Sequence, residues 1–166
     1  MLEKGHVFVY GSSGVCRVED ICLRDYGGGK KEYYILQPVF DLRSNLSVPA
    51  DSPVFESHAK ELLSKDDVLE IIDILPECRS EWIINDKVRI ETFRSILESG
   101  NRRDIANLIC TLHIHKHELA GRGKKLRSTD ETTMQRAEKL LFGEFAWVLG
   151  IDPKEVIPFI KERIEK

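Results

Sequence analysis

The chain has 166 residues, of which 42% are hydrophobic and 32% are charged, and its formal net charge is −3. This composition excludes a disordered chain, and the sequence lacks the run of about 18 apolar residues that a membrane-spanning helix needs. The N-terminal residues also lack the apolar core of a signal peptide. We therefore expect a cytoplasmic protein that makes no membrane contact.

The first 50 residues have the composition of short strands separated by turns. β-branched and aromatic residues fill His6–Tyr10, and the glycine run 27–29 is typical of a hairpin tip. Pro49 has no N–H to donate, so the strand that contains it ends there or lies at a sheet edge. The predicted strands are 6–10, 15–26, 30–40 and 46–49. Together they predict a curled sheet or a small SH3-like barrel.

From residue 64 onward, apolar residues recur with the 3.6-residue period of a helix. Ser64 with Asp67, and Ser128 with Glu131, have the spacing of capping boxes, and Gly100 is a helix stop. The predicted helices are 64–75, about 80–99, 101–119, 128–150 and a last helix that begins near 152.

Strands followed by helices indicate two separate units. The change falls between residues 52 and 63, and we predict an N-terminal domain over 1–55 and a helical domain over 60–166. The expected fold class is α+β, with a small β-barrel followed by an all-α domain of about five helices.

Positive charge is concentrated in one part of the helical half. Residues 61–100 hold five Lys or Arg against ten Asp or Glu, whereas residues 101–127 hold seven against two, a local charge of +5. A local basic patch is what a phosphate backbone would attract. The alternative is a solvated helix and loop that bind nothing.

The most enzyme-like cluster is Cys110 with His113 and His117, which share one helix face and could offer three zinc ligands. A fourth ligand is not evident, and the four cysteines form no CxxC pair, so we expect them to be reduced. The loop 121–125 lacks the spacing of a phosphate-binding Walker loop. We predict no enzyme, no catalytic residue, no metal and no cofactor, and a basic or DNA-facing helix surface instead.

Trp82 stands in a polar segment, residues 81–89, at the start of a predicted helix. One interpretation makes it a core anchor. The other makes it an apolar wedge that stacks on bases, with Lys87 and Arg89 on phosphates and Asn85 nearby.

Short segments along the whole chain match, in order, the motifs of one family. They are Gly5–Tyr10 with the turn to Gly14, Val18–Ile21, Lys31–Leu36, Ser47–Pro49, Glu98–Asn101, Gly123–Leu126 and Glu138–Phe145. Together they resemble the CarD/CdnL family of bacterial transcription regulators, which shares its N-terminal module with transcription-repair coupling factors.

The resemblance implies a Tudor-like barrel that docks on the RNA polymerase β subunit, and a helical domain that contacts promoter DNA. The contact would lie at the upstream edge of the transcription bubble and stabilise the open complex, with no small-molecule substrate. The implied polymerase-binding residues are Arg24, Asn45 and Ser47. The candidate DNA-binding residues are Trp82, Asn85, Lys87, Arg89, Arg122, Lys124, Lys125 and Arg127.

The sequence departs from the family pattern near Trp82. Counted back from Ser99–Gly100, this tryptophan lies about one helical turn before the family's wedge tryptophan, and Asp86 occupies that register. An alternative function is a protein-interaction adaptor whose helices never touch DNA. Salt-dependent binding to forked promoter DNA would separate the two functions.

Overall fold

The computed structural model describes residues 2–165, which divide into two compact units between Leu62 and Leu63. The first unit holds the strands and one short helix, and the second is helical. The fold is therefore α+β, as the sequence predicts.

The sheet unit is an antiparallel sheet whose strands follow the order β4-β3-β2-β1-β5. Its elements are β1 (Val7–Tyr10), a 3-10 turn (Gly11–Ser13), β2 (Val15–Arg24), β3 (Lys31–Pro38), β4 (Leu46–Pro49), α1 (Pro53–His58) and β5 (Ala59–Lys60). β4 lies at one edge of the sheet, so the prediction of an edge strand at this position is confirmed. The pairings establish a five-stranded sheet, and its closure into a barrel stays a prediction.

The long hairpin of β2 and β3 dominates this unit, with a bulge between Val18 and Asp20 and the last pair at Arg24 and Lys31. Its strands bury one face because apolar residues alternate along them. The core of the unit is formed by Phe8, Cys16, Val18, Tyr34, Leu36 and Phe55. The hairpin tip, and with it Arg24, lies away from these buried positions and is exposed.

The helical unit contains five α-helices between Leu63 and Glu165. They are α2 (Lys65–Ile74), α3 (Asp86–Ser99), α4 (Arg102–Ala120), α5 (Ser128–Leu149) and α6 (Val156–Ile164), with 3-10 turns at Leu75–Glu77 and Pro153–Glu155. One core, formed by residues from all five helices, includes Val68, Phe93, Leu112, Phe145 and Val156. No helix of the described residues is long and apolar enough to cross a membrane.

One of the predicted helix starts is wrong. α3 begins at Asp86 rather than near Ser80, because Asn85 caps it by accepting a hydrogen bond from Val88 N at 3.0 Å. The segment before the cap is irregular, so Trp82 is not on a helix.

The predicted start of α5 at Ser128 is confirmed, but the predicted cap is wrong. Arg127 occupies the N-cap position and makes no side-chain cap hydrogen bond, so the predicted capping box of Ser128 is absent. The box of Ser64 and Asp67, by contrast, is present at the start of α2.

Candidate functional site

The predicted polymerase-binding residues lie where β2 ends, near the edge strand β4. The exposed guanidinium of Arg24 donates from Nη1 to the Tyr26 hydroxyl at 3.2 Å and from Nε to Cys22 Sγ at 3.4 Å. The same Tyr26 hydroxyl hydrogen-bonds with Ser47 on β4. Tyr26 therefore joins two of the predicted residues, while Asn45 is exposed just before β4.

The hydrogen bonds at this edge shift the pKa values of both Arg24 and Tyr26. The hydrogen bond from Arg24 lowers the pKa of Tyr26, and that from Ser47 adds to the effect. The hydrogen bond to Tyr26 raises the pKa of Arg24 in turn. The Tyr26 ring packs edge-on against Tyr33 at 5.1 Å between centroids, which orients the hydroxyl.

Tyr26 is a residue that the sequence analysis missed. In the sequence, Tyr26 is simply the last residue of a predicted strand, next to the glycine run 27–29. Its link to Ser47 arises only because β4 pairs with β3. The adjacent Leu23 is also exposed, as are Lys30 and Lys31, so the hairpin end combines apolar surface with several cations. Such a mixture is typical of a protein-docking surface.

In the helical unit, five of the eight candidate DNA-binding residues line one cavity of about 340 Å³. These five are Trp82, Arg89, Lys124, Lys125 and Arg127, and Ile84, Asp86, His115, Leu119, Leu126 and Asp130 complete the lining. The other three, Asn85, Lys87 and Arg122, are exposed outside that lining.

Arg89 is held in the interior and is only 2% exposed. Its guanidinium donates to Asp130 Oδ1 at 3.0 Å, to Asp86 Oδ1 at 2.8 Å and to the Ile83 carbonyl at 3.0 Å. Burial opposes the charged form, but the hydrogen bonds to Asp130 and Asp86 outweigh it and raise the pKa of Arg89. A guanidinium with these partners is not available to a phosphate, and this geometry disfavours the predicted direct contact.

Trp82 is half-buried and surrounded by rings and charge. Its indole stacks on His115 at 3.7 Å between centroids with an interplanar angle of 8°, and it meets Phe93 edge-on at 6.0 Å. The Arg89 guanidinium carbon lies 4.8 Å from the ring centroid. These contacts favour the core-anchor interpretation over the wedge, because a ring stacked within the protein has less surface to offer a base.

Most of the positive charge predicted for residues 101–127 is paired within the protein. Arg102 makes two hydrogen bonds to buried Glu144 at 2.9 and 3.0 Å, and the remaining paired residues are Arg103 with Glu70, Lys116 with Glu131 and Arg127 with Asp86. Within residues 2–165, Arg122, Lys124 and Lys125 make no ion pair. The unpaired charge is therefore concentrated on the loop between α4 and α5.

This basic loop, residues 121–127, has a defined backbone. Gly123 adopts φ +70°, which allows the chain to turn back so that Lys124 N donates to the Leu119 carbonyl at 2.8 Å. Lys124 and Lys125 follow the turn directly and are exposed. The turn therefore presents two adjacent ammonium groups beside the Trp82 cavity.

The cysteine and histidines of α4 have separate surroundings rather than a common one. His113 contacts Glu138, His115 stacks on Trp82, and Cys110 Sγ donates to the Leu75 carbonyl at 3.6 Å. Burial raises the pKa of Cys110 to about 11. No group of three potential metal ligands occurs among the described residues.

Comparison with known proteins addresses the sheet unit. Residues 2–53, which contain β1 to β4, match the family described as the CarD-like/TRCF RID domain. This family is one of protein-interaction domains that bind RNA polymerase, and it is not a known enzyme family. No curated protein matches the chain. The resemblance drawn from the sequence is thereby confirmed for the first unit, and this chain carries a CarD-like RNA polymerase-interacting domain.

Proposed function

We propose that the protein is a transcription regulator that binds the RNA polymerase β subunit and contacts promoter DNA, stabilising the open complex near the upstream edge of the bubble. The match of residues 2–53 to the CarD-like/TRCF RID domain carries the proposal. In this proposal the sheet unit is a Tudor-like barrel that docks on the polymerase, and the helical unit is the DNA-contacting domain.

The arrangement at the hairpin end supports the docking role. Arg24 and Ser47 lie on different strands, yet both hydrogen-bond to Tyr26, so one partner surface can meet all three. β4 is an edge strand, and its free side can accept or donate backbone hydrogen bonds to a partner.

The basic loop supports the DNA role. Arg122, Lys124 and Lys125 are exposed, and α3 adds Lys87, which is also exposed. Long-range attraction to phosphates depends on such unpaired surface charge, because a cation already paired with a carboxylate contributes little net field.

The polymerase-binding half is tested with the full chain and purified bacterial RNA polymerase. Arg24→Glu reverses an exposed charge and should weaken the complex about tenfold, because a charge pair at the edge of the interface becomes a repulsion. Arg94→Glu, an exposed arginine on α3, makes the same charge change in the helical unit and should leave binding unchanged. Equally weakened binding in both variants would contradict docking through the sheet unit.

The DNA-binding half is tested by measuring affinity against salt concentration. Replacing Lys124 and Lys125 together by Ala should reduce the slope of log affinity against log salt by about two, because each lysine that binds a phosphate contributes about one to that slope. Replacing Lys154 and Lys161 together, two exposed lysines near the C-terminus, removes the same charge elsewhere and should leave the slope unchanged. A slope that falls equally in both pairs would mean that net charge alone acts.

The second candidate function is an adaptor that binds polymerase but not DNA. The pairing of Arg102, Arg103, Lys116 and Arg127 with carboxylates favours it, since these cations are then neutralised within the protein. The adaptor predicts no salt-sensitive affinity for DNA, in the presence or the absence of polymerase.

A further inference from the structure

Cys78 and Cys110 are neighbours in the helical unit, although they belong to different elements. Cys78 directly follows the 3-10 turn Leu75–Glu77, and Cys110 lies on α4. The Cys78 amide donates to the Leu75 carbonyl at 3.1 Å, and Cys110 Sγ donates to the same oxygen at 3.6 Å. The Cys110 sulfur is therefore within about 7 Å of Cys78 N, which is the scale of separation that a disulfide allows between its two residues.

The thiol pair, Cys78 and Cys110, is accessible to a small reagent. All four cysteines of the chain are free thiols, and both members of this pair are half-buried. The other two belong to the sheet unit, where Cys16 is fully buried in the core and Cys22 accepts a hydrogen bond from Arg24 Nε. The sequence of the helical unit contains no third cysteine, so a disulfide within this unit has a single possible pairing.

The two thiols differ in the charges around them. Burial is the main cause that raises the pKa of Cys110 to about 11, and the neighbouring Cys78 adds to it. Burial also raises the pKa of Cys78, but the Arg103 cation on α4 opposes this effect, and Glu77 adds to it more weakly. Because the thiolate is the nucleophile in disulfide exchange, we expect Cys78 to react first. The raised pKa values make the reaction slow at neutral pH and faster as the pH rises.

The connecting segment, residues 78–85, leads from the 3-10 turn to α3 without regular secondary structure. It follows one face of α4, because Ser80 N donates to Thr111 Oγ1 at 3.0 Å and Trp82 stacks on His115. The two α4 residues are four positions apart and therefore lie on the same face of that helix. The thiol pair is the first of these successive contacts between the segment and α4.

We propose that Cys78 and Cys110 form a reversible disulfide in the presence of a low-molecular-weight disulfide such as oxidised glutathione, and that this bond fastens the start of the connecting segment to α4. The inference does not depend on the proposed function. Hydrogen bonds and ring stacking now join the segment to α4, and such contacts can open locally. A covalent bond limits that opening, so the oxidised protein should hold Trp82 more firmly than the reduced protein does.

The reaction consumes one molecule of the oxidant. The Cys78 thiolate attacks one sulfur of the oxidant, the S–S bond of the oxidant breaks, and one small thiolate leaves, which gives a mixed disulfide. The Cys110 thiolate then attacks Cys78 Sγ and releases the second small thiolate. The two protons lost by the cysteines end on the two released thiols, and the two electrons that the pair gives up reduce the oxidant.

The test uses the reduced full chain, treated with oxidised glutathione at mildly alkaline pH. Its intact mass should fall by two hydrogen atoms, and proteolysis without reductant should give a cross-linked product that holds Cys78 and Cys110. The melting temperature should rise by about 5–10 °C, because the cross-link restricts the unfolded chain. Amide hydrogen exchange across the connecting segment should slow, and dithiothreitol should reverse all of these changes.

Two serine variants are matched to this test. Cys22→Ser removes a half-buried thiol of the sheet unit, so the mass loss and the rise in melting temperature should stay as in the wild type. Cys110→Ser removes the second thiol of the pair, so the protein should keep glutathione bound at Cys78 and its melting temperature should not rise. Each variant is compared with and without the oxidant, so a change in its basal stability does not affect the result.

Several outcomes would overturn the inference. They are an unmodified wild-type protein, a wild-type protein that keeps glutathione bound, a covalent dimer, and a disulfide that includes Cys16 or Cys22. A disulfide between Cys78 and Cys110 that changes neither the melting temperature nor the hydrogen exchange would also overturn it, because the bond would then fasten nothing. A disulfide at this pair together with both changes supports the inference.

Discussion

In the sheet unit, Arg24 bonds to Cys22 and Tyr26, each two residues away, and its guanidinium stays exposed. In the helical unit, Arg89 bonds to Asp130, 41 residues away, and its guanidinium is buried. Both arginines are candidate partner contacts on the basis of sequence. The two arginines differ in how far along the chain their hydrogen-bond acceptors lie.

A basic residue in a predicted binding segment can therefore serve either a partner or the fold. Locally bonded Arg24 retains solvent access and can exchange its weak contacts for those of a partner. Arg89 satisfies the buried carboxylate of Asp130, so removing Arg89 would leave that buried charge without its cationic partner. The contrast predicts opposite consequences of equivalent substitutions in the two units.

The largest expected effect is on the free energy of unfolding of Arg89→Met. This change leaves the buried carboxylate of Asp130 without its charged partner and should cost about 3–5 kcal/mol, measured by urea denaturation. Arg24→Met should leave the unfolding free energy unchanged. The double variant Arg89→Met with Asp130→Leu should recover much of the stability, because it removes the unpaired charge. If Arg89→Met and Arg24→Met had the same free energy of unfolding, Arg89 would not have the structural role that distinguishes it from Arg24.

The next effect concerns Trp82→Ala. The indole is half-buried and packs on Phe93 and His115, so its removal should cost about 2–3 kcal/mol, below the range of about 3–5 kcal/mol for a fully buried aromatic residue. Ile84→Ala, two residues away and exposed, should change the unfolding free energy by less than about 0.5 kcal/mol. If the Trp82→Ala protein were as stable as the wild type, the core-anchor interpretation would be wrong and the wedge interpretation would be favoured.

The smallest effect is a pH dependence that arises from His115. Burial is the main cause that lowers its pKa below the ordinary 6.5; nearby Arg89 and Arg122 act in the same direction, while Glu118 and Asp130 oppose them. At pH values between the lowered pKa of folded His115 and 6.5, the unfolded chain binds more protons than the folded chain. The free energy of unfolding is therefore highest above pH 6.5 and decreases as the pH falls through this range.

The check on this pH dependence is the melting temperature between about pH 7.5 and pH 5.5 for the wild type and for His115→Gln. The melting temperature of the wild type should fall further on acidification than that of the variant, because glutamine does not titrate. Parallel curves would mean that His115 titrates alike in the folded and the unfolded chain.

Much of the fold was predictable because its signals are local. The helix α4 begins after Asn101 and buries Ile105, Leu108, Ile109 and Leu112, as period and capping residue predict. The edge strand β4 likewise follows from a short apolar segment that ends in proline. The start of α3 was missed because Asn85 and Ser80 are both acceptable caps by residue type, and packing chose between them.

The candidate sites were predictable only in outline. The amino-acid sequence alone shows which segments are basic, where Trp82 stands between polar residues, and which N-terminal motifs resemble a polymerase-interacting domain. Composition and spacing suffice for these features, since they depend on residues close together in the chain.

Which basic side chains stay available to a partner depends on how the helices pack. This packing pairs Arg102 with Glu144, encloses Arg89 with Asp130, and leaves Lys124 and Lys125 exposed. The carboxylate partners of Arg89 and Arg102 lie about forty residues away, so no local pattern marks them. A buried charge must find its counter-charge wherever the packed helices place one, and that placement is a property of the folded chain.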